Sequence, residues 1–248
     1  MSQQDIYDNE IFFENFKRLR SQKVNFNDDL ETPILLSMLP EIQGKSVLDI
    51  GCGMGQHAKQ YSDLGARAVL EIDISEKMLD YAGKNNHAEN IAYRKLAMEE
   101  IDQLGETFDL VTSSLVFDYI EDFGGLMRKI HDRMNLGAKL VFSTSHPMAT
   151  AYDGSVPRFT RNEAGERLYA NINHYFVEGK RKIKWVVEEY ELYHRTLSSM
   201  MNAMIDAGFR IEECRESAAS EELRRKYPDQ FGGTIHRPDF IFFRCGMS

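Results

Sequence analysis

The sequence predicts a doubly wound α/β fold, a seven-stranded and mostly parallel sheet with helices on both faces. Two observations carry that expectation. Short apolar runs alternate with segments of helical period along most of the chain, which implies strands joined by crossover helices. One such run, Val47-Leu48-Asp49-Ile50, empties into Gly51-Cys52-Gly53-Met54-Gly55, a glycine turn that opens a helix near Gln56. Glycine admits positive φ and lets bare main-chain N–H groups approach a ligand, while the helix behind the turn aims its positive end at the same spot. At 248 residues the chain is long enough to bury a full core.

Taken in chain order, Glu10 to Arg20 sets Ile11, Phe12, Phe13, Phe16 and Leu19 largely on one helical side, and Pro33 to Leu39 offers a second short helix. Both are expected over the mouth of the glycine turn. Strands are expected at Ser46–Ile50, Ala68–Asp73, Ile91–Lys95, Phe108–Ser113 and Lys139–Thr144. Ser75 is placed to cap the helix carrying Met78, Leu79 and Ala82, and Phe123, Leu126, Ile130 and Met134 form one apolar stripe. After the fifth strand the alternation stops. From His146 to Arg195 the chain is too long for an ordinary connection. Within it, Asn173–Glu178 and Lys182–Glu189 alternate around Gly179, so a hairpin is expected there, in a region rich in aromatics: Tyr152, Phe159, Tyr169, Tyr175, Phe176, Trp185, Tyr190 and Tyr193. This is the expected substrate cap. A helix at Thr196–Ala207 and strands at Phe209–Cys214 and Pro238–Arg244 complete the sheet. The chain thus divides, within one domain, into N-terminal helices (1–40), the ligand-binding half of the core (41–145), the cap (146–195) and the remainder of the sheet (196–248).

Composition excludes several function classes. With 39 acids against 30 bases and a net charge of −9, the chain is poorly suited to grip a phosphate backbone. The basic runs Lys180-Arg181-Lys182 with Lys184, and Arg224-Arg225-Lys226, are short and flanked by acids, as solvated faces are. Cys52, Cys214 and Cys245 form no spaced pair, which argues against a disulfide framework or structural zinc, and no metal is expected. No stretch approaches the ~20 apolar residues of a membrane span, and the opening Met1-Ser2-Gln3-Gln4-Asp5 has no signal-peptide pattern. The expectation is a soluble cytoplasmic protein, monomer or homodimer, without a nucleic-acid or membrane partner.

The ligand of the glycine turn follows from its neighbours. A dinucleotide site would read G-x-G-x-x-G, but the glycines here fall as G-x-G-x-G with Gln56 beyond them. Asp49 would repel a pyrophosphate and welcome an ammonium. Asp73, ending the second strand, stands where a carboxylate accepts both hydroxyls of a ribose. An amino acid at one end and a nucleoside at the other describe S-adenosylmethionine.

In VLDIGCGMG, EIDISEKML and FDLVTSSLVFDYIED the sequence resembles the class I S-adenosylmethionine-dependent methyltransferases, most closely the small-molecule type 11 group. FFENFKRLR, ETPILLSMLP, FSTSHPMATA, YHRTLSSMMNAMIDAGF and RPDFIFF are similar to a narrower bacterial subgroup, so the resemblance spans nearly the whole chain. It implies strand order 3-2-1-4-5-7-6 with the last strand antiparallel. It also implies a small-molecule acceptor, and S-adenosylhomocysteine as the spent cofactor. The cofactor contacts it implies are Phe16, Arg20, Asp49, Gly51, Gly53, Gly55, Asp73, Ile74, Ala97, Met98, Glu99 and Ser114. Three departures stand out. Glu71 replaces a usual glycine and is expected to point away from the cofactor; Asp118 replaces a frequent His; and Ala97 replaces an Asp, leaving the backbone at Ala97 and Met98, with Glu99 nearby, to read adenine.

Methyl transfer from a sulfonium is an in-line displacement that needs a protein base only if the acceptor must lose a proton early. The candidates for a base or an orienting donor are His146 and His194, where the chain returns to the active edge of the sheet. Phe117 and Tyr119 are expected beside the methyl group, and Tyr175 and Trp185 in the cap. Arg195 is expected to pair with a substrate carboxylate or an acid of the cap. His57 is placed near the methionine carboxylate, although packing explains it as well. The alternatives are a binding protein without catalysis and a nicotinamide oxidoreductase. The N/D-P-P-Y signature of nucleobase amino-methyltransferases is absent from the sequence.

Overall fold

The computed structural model describes residues 7–185 and 188–247, those from 183 to 190 by backbone alone. The first half alternates as the periodicity requires: α1 (Glu10–Arg20), α2 (Thr32–Ser37), β1 (Ser46–Ile50), α3 (Gln56–Asp63), β2 (Ala68–Asp73), α4 (Glu76–Asn85), β3 (Ile91–Lys95), β4 (Phe108–Ser114), α5 (Phe123–Asp132) and β5 (Met134–Ser145). Then come α6 (Pro147–Thr150), β6 (Phe159–Arg161), β7 (Arg167–Ala170), β8 (Gly179–Trp185) and β9 (Glu188–His194). The chain closes with α7 (Leu197–Asp206), β10 (Phe209–Glu216), α8 (Glu221–Lys226), α9 (Pro228–Phe231) and β11 (Phe240–Met247). Helix starts obey side-chain capping: Ser75 accepts from the Met78 N–H, Asp122 from Gly125 and Thr196 from Ser199.

Seven strands form one sheet in the order β3-β2-β1-β4-β5-β11-β10. All neighbours are parallel except that β11 runs against both β5 and β10. This is the expected order and the expected reversed last strand. Alternation along each strand divides the core. Leu48, Ile50, Leu70, Ile72, Phe142 and Phe243 pack under α5 and α7, while Val47, Val69, Leu110, Val141 and Phe242 pack under α2 and α3. By the same alternation Asp49 and Glu71, paired across β1 and β2, share the α2–α3 face.

The segment after β5 departs from expectation. Gly179 does not turn a hairpin; it begins β8, which pairs antiparallel with β9, so the connection falls at residues 186 and 187, outside the described ones. Cross-strand charge explains the register. Lys182 and Lys184 stand opposite Glu191 and Glu189, and Lys180 reaches Glu191 at 2.7 Å. The basic run is thus the partner of an acidic strand. A second hairpin, β6–β7, was not anticipated; it closes through residues 162–166 with Gly165 at φ +82°. β5 also starts earlier than the apolar pattern suggested, because Met134 already pairs with Phe108 ahead of a register shift. Among the described residues no helix is long and apolar enough to cross a membrane, and no group of three or more His, Cys, Asp or Glu could hold a metal ion.

Candidate active site

The C-terminal ends of the parallel strands open into one cavity of about 860 Å³, toward the upper end of the range for small-molecule sites. Its floor is the turn after β1. Gly51, Gly53 and Gly55 all hold positive φ (+72°, +54° and +71°), a backbone that side chains resist. A Cβ on Gly51 would collide with Val116 and one on Gly55 with Tyr93, whereas one on Gly53 would meet nothing within 4 Å and stand in the cavity. Gly53 therefore leaves bare backbone open to the cavity, and α3 opens directly behind it.

Asp73 is oriented before any ligand arrives. Its carboxylate accepts from the Gly53 N–H at 2.9 Å and from the Ser75 N–H at 2.8 Å, so strand end, glycine turn and helix cap are tied at one side chain. Burial pushes its pKa up from the usual value, and those N–H groups oppose the rise. Ile74, Leu96, Ala97, Met98 and Glu99 continue the wall beyond β2 and β3. Opposite them, Leu115 holds φ +57°, with its N–H bonded to both the carbonyl and the hydroxyl of Ser143, which turns the chain after β4 along the cavity.

At the other end of the turn, Asp49 accepts from the Thr112 hydroxyl at 2.7 Å. Burial raises the carboxyl pKa of Asp49, with His57 acting against the rise, and raises that of its register partner Glu71 much further. Two buried acids side by side disfavour double ionisation, and burial together with Asp49 pushes Glu71 well toward its protonated form. Glu71 is wholly buried and does not line the cavity, in keeping with its expected orientation. Above Asp49, α1 brings Phe16, Leu19 and Arg20 into the wall. Arg20 donates to Gln56 at 3.0 Å and to Asn25 at 3.3 Å and pairs with Asp28 at 3.0 Å. His57 lines the cavity too, 3.3 Å from the Thr32 hydroxyl. Ser114 lines it, but its hydroxyl donates to the buried Glu31 at 2.9 Å.

The acceptor-side expectations fare differently. His146 has Nδ1 taken by the Met148 N–H at 3.0 Å, capping α6, so its proton sits on Nε2 and is donated to Glu216 at 2.8 Å. His194 donates to the Tyr175 carbonyl at 2.8 Å and accepts from Thr150 at 2.7 Å. Both rings are buried, burial lowers both pKa values, and neither lines the cavity. Tyr175 packs against His194 and accepts from the Leu197 N–H. Phe117 is a core residue under Phe142 and Phe123. Arg195 spends its guanidinium on the carbonyls of Phe117, Ile120, Glu121 and Tyr193, and so fastens the segment after β4 instead of facing the cavity. The side chain of Trp185 lies outside the described residues. Tyr119 does line the cavity, its hydroxyl 2.8 Å from that of Tyr7.

Asp118, noted for replacing a frequent His, and Tyr193, among the cap aromatics, also line the cavity, whereas Tyr7, Glu121, Thr150, Arg158, Leu192, Gln230 and Asp239 were not pointed to by the sequence. Gln56 had a signal, since the first residue of the helix behind the turn must face the ligand. The others come from loops, short helices and β9, segments that only the fold brings together.

Residues 48–142 match a family model described as a methyltransferase domain. An uncharacterized protein of Haemophilus influenzae is 35% identical over 246 residues, 97% of this chain and 96% of that one. A malonyl-[acyl-carrier protein] O-methyltransferase of Acetivibrio thermocellus is 34% identical over 114 residues, 44% of this chain and 40% of its own length. The crystal structure of an S-adenosylmethionine-dependent methyltransferase from Mesorhizobium loti superposes with a TM-score of 0.77 at 34% identity, covering 87% of this chain and 96% of that one. With whole-chain likeness on one side and a glycine turn flanked by Asp49 and Asp73 on the other, the chain belongs to the S-adenosylmethionine-dependent methyltransferases.

Proposed function

We propose that this methyltransferase acts on a small-molecule acceptor bound in the far part of the cavity, under a cap formed by residues 146–195 of a single domain. The observation that carries the reading is the continuity of one cavity from Asp73 and Ala97–Glu99, past the glycine turn, to Ala149, Thr150, Arg158 and Tyr193 of the segment after β5. Cofactor and acceptor then share one enclosed space, as an in-line displacement requires.

S-adenosylmethionine supplies the activated methyl carbon. The chain's own groups divide the remaining work. Asp73 accepts the ribose hydroxyls through the lone pairs its two N–H donors leave open. The wall at Ala97, Met98 and Glu99, with Ile74, holds the adenine. Asp49 receives the ammonium, while the N-terminus of α3, with Gln56, His57 and Arg20, faces the carboxylate. Phe16 and Tyr119 are placed to exclude water around the sulfonium. With His146 and His194 held behind the wall, no imidazole among the described residues faces the acceptor part of the cavity. This favours acceptors that need no early deprotonation, or a proton path through Tyr193, whose hydroxyl donates to Glu121 at 3.4 Å.

The test is ligand-dependent thermal stabilisation followed by label transfer. S-adenosylhomocysteine at a hundredfold excess over its Kd stabilises the protein by about 2.7 kcal/mol, and NAD does not. Labelled methyl from S-adenosylmethionine then appears in product from a small-molecule extract. Stabilisation by NAD alone overturns the reading. Tight S-adenosylhomocysteine binding with no transfer from any extract supports a non-catalytic binding protein instead.

A further inference from the structure

Sheet order divides the cavity. The ends of β3, β2, β1 and β4 carry the cofactor contacts, so the acceptor's space lies over the next strands, β5 and β11, at Ser145, Thr150 and Asp239. The acids there already have hydrogen-bond or ion-pair partners, whereas one cation has no ion pair. Asp118 accepts from the Thr144 hydroxyl at 2.7 Å and the Ser145 N–H at 3.0 Å. Asp239 is paired with Arg237 at 2.9 Å, and Glu121 accepts from Tyr193. Arg158 is half-buried, lines the cavity, and among the described residues has neither an ion pair nor a side-chain hydrogen bond. Its guanidinium lies over the Tyr152 ring, 4.5 Å from the centroid. Stacking covers a face of the fork and leaves its N–H edges open, the arrangement that receives a carboxylate bidentately. Arg20, by contrast, already has Asp28, Asn25 and Gln56.

We infer that the methyl acceptor is a carboxylate-bearing small molecule whose carboxylate is bound by Arg158, stacked on Tyr152, at the end of the cavity remote from Asp73. The charge of Arg158 acts on Asp239, but that carboxylate is already paired with Arg237, so Arg158 stands there without an ion pair of its own and matches a monoanion; a phosphate dianion would call for a second free cation. The inference rests on the assignment of the near part of the cavity to the cofactor. It moves the carboxylate partner from Arg195, which is consumed by main-chain carbonyls, to Arg158.

The experiment uses the full chain saturated with S-adenosylhomocysteine. Its binding is measured first, so that a failed cofactor site shows itself as no binding at that stage. Matched pairs are then titrated by calorimetry: benzoate against benzamide, 3-phenylpropanoate against its amide, hexanoate against hexanamide, with phenyl phosphate as a further arm. The expected result is roughly tenfold to a hundredfold preference for at least one carboxylate over its amide, the range of charge-assisted hydrogen bonds. That preference is lost in Arg158→Met and only partly recovered in Arg158→Lys, with S-adenosylhomocysteine affinity unchanged in both. Equal binding of acid and amide, no carboxylate binding at millimolar concentration, a preference that survives Arg158→Met, or tighter binding of phenyl phosphate than of every carboxylate overturns the inference.

Discussion

Replacing Asp73 tests the placement of the nucleoside, and its effect can be worked from the geometry. An ionised carboxylate offers about four acceptor positions. Two are taken, by the N–H groups of Gly53 and Ser75 at 2.9 and 2.8 Å, and the Ile74 N–H also acts on the carboxylate, which leaves at most two for the adjacent hydroxyls of a ribose. Two charge-assisted bonds are worth roughly 3–6 kcal/mol gross. Part of that is offset, because the carboxylate is largely buried and its removal relieves a desolvation cost. The expected net loss for Asp73→Ala is about 1.5–3 kcal/mol, a tenfold to roughly 150-fold weaker S-adenosylhomocysteine Kd by isothermal titration. Asp73→Asn keeps the volume but turns an NH2 toward one of the two N–H donors, so it loses a comparable amount. Urea unfolding of the free variants separates a damaged turn from a lost contact. A Kd within about threefold of wild type in folded protein would refute the placement of the ribose, whatever the fate of activity.

Three further outcomes follow from the same geometry. Gly53→Val places a side chain in the cavity at φ +54°; it should abolish S-adenosylhomocysteine binding in calorimetry while costing only about 1–3 kcal/mol of stability, and retained binding would mean the turn serves packing alone. Glu71 is held protonated in the fold at a pH where the unfolded chain, with its ordinary pKa of 4.5, has released the proton. The native state therefore binds the extra proton, and stability falls as pH rises above about 4.5, by up to ~1.4 kcal/mol per unit. Glu71→Gln should flatten that slope in urea unfolding measured from pH 4.5 upward, and an unchanged slope would place the proton elsewhere. Arg195→Ala should destabilise by roughly 1–3 kcal/mol in urea, since several carbonyls, most of them part-buried, lose their donor, and Arg195→Lys should recover little because a point charge cannot span them. A change below about 0.5 kcal/mol would show that the segment after β4 holds itself.

The cofactor end of this site was legible because its chemistry is local. A strand, three glycines and the first turn of a helix are contiguous, and Asp73 follows at the end of the neighbouring strand, so spacing alone announces the arrangement. Ala97, Met98 and Glu99 were pointed to by the family resemblance, and the structure places them in the cavity wall, where the loop after a parallel strand opens on the same edge. The acceptor end was not. His146 and His194 have the sequence position of catalytic groups, yet both ring nitrogens of each are consumed, Nδ1 of His146 by the local cap at Met148 and the rest by a carboxylate, a hydroxyl and a carbonyl 19 to 70 residues away. The β8–β9 register was missed because alternation does not say where a hairpin turns; the opposition of Lys182 and Lys184 to Glu191 and Glu189 does, once the strands are paired.

What the amino-acid sequence by itself determined was the class of fold and the methyl donor, since both depend on periodicity and on the backbone freedom of Gly51, Gly53 and Gly55 between two acids. What only the tertiary structure decided was which charges remain available. Burial pushes the carboxyls of Asp49 and Glu71 upward, and the charge of Asp49 helps carry Glu71 well above its ordinary value; Arg195 is spent on carbonyls; Arg158 is left facing the cavity over Tyr152. Burial and partnership set the chemistry of a charged side chain, and both are properties of packing between segments distant in sequence.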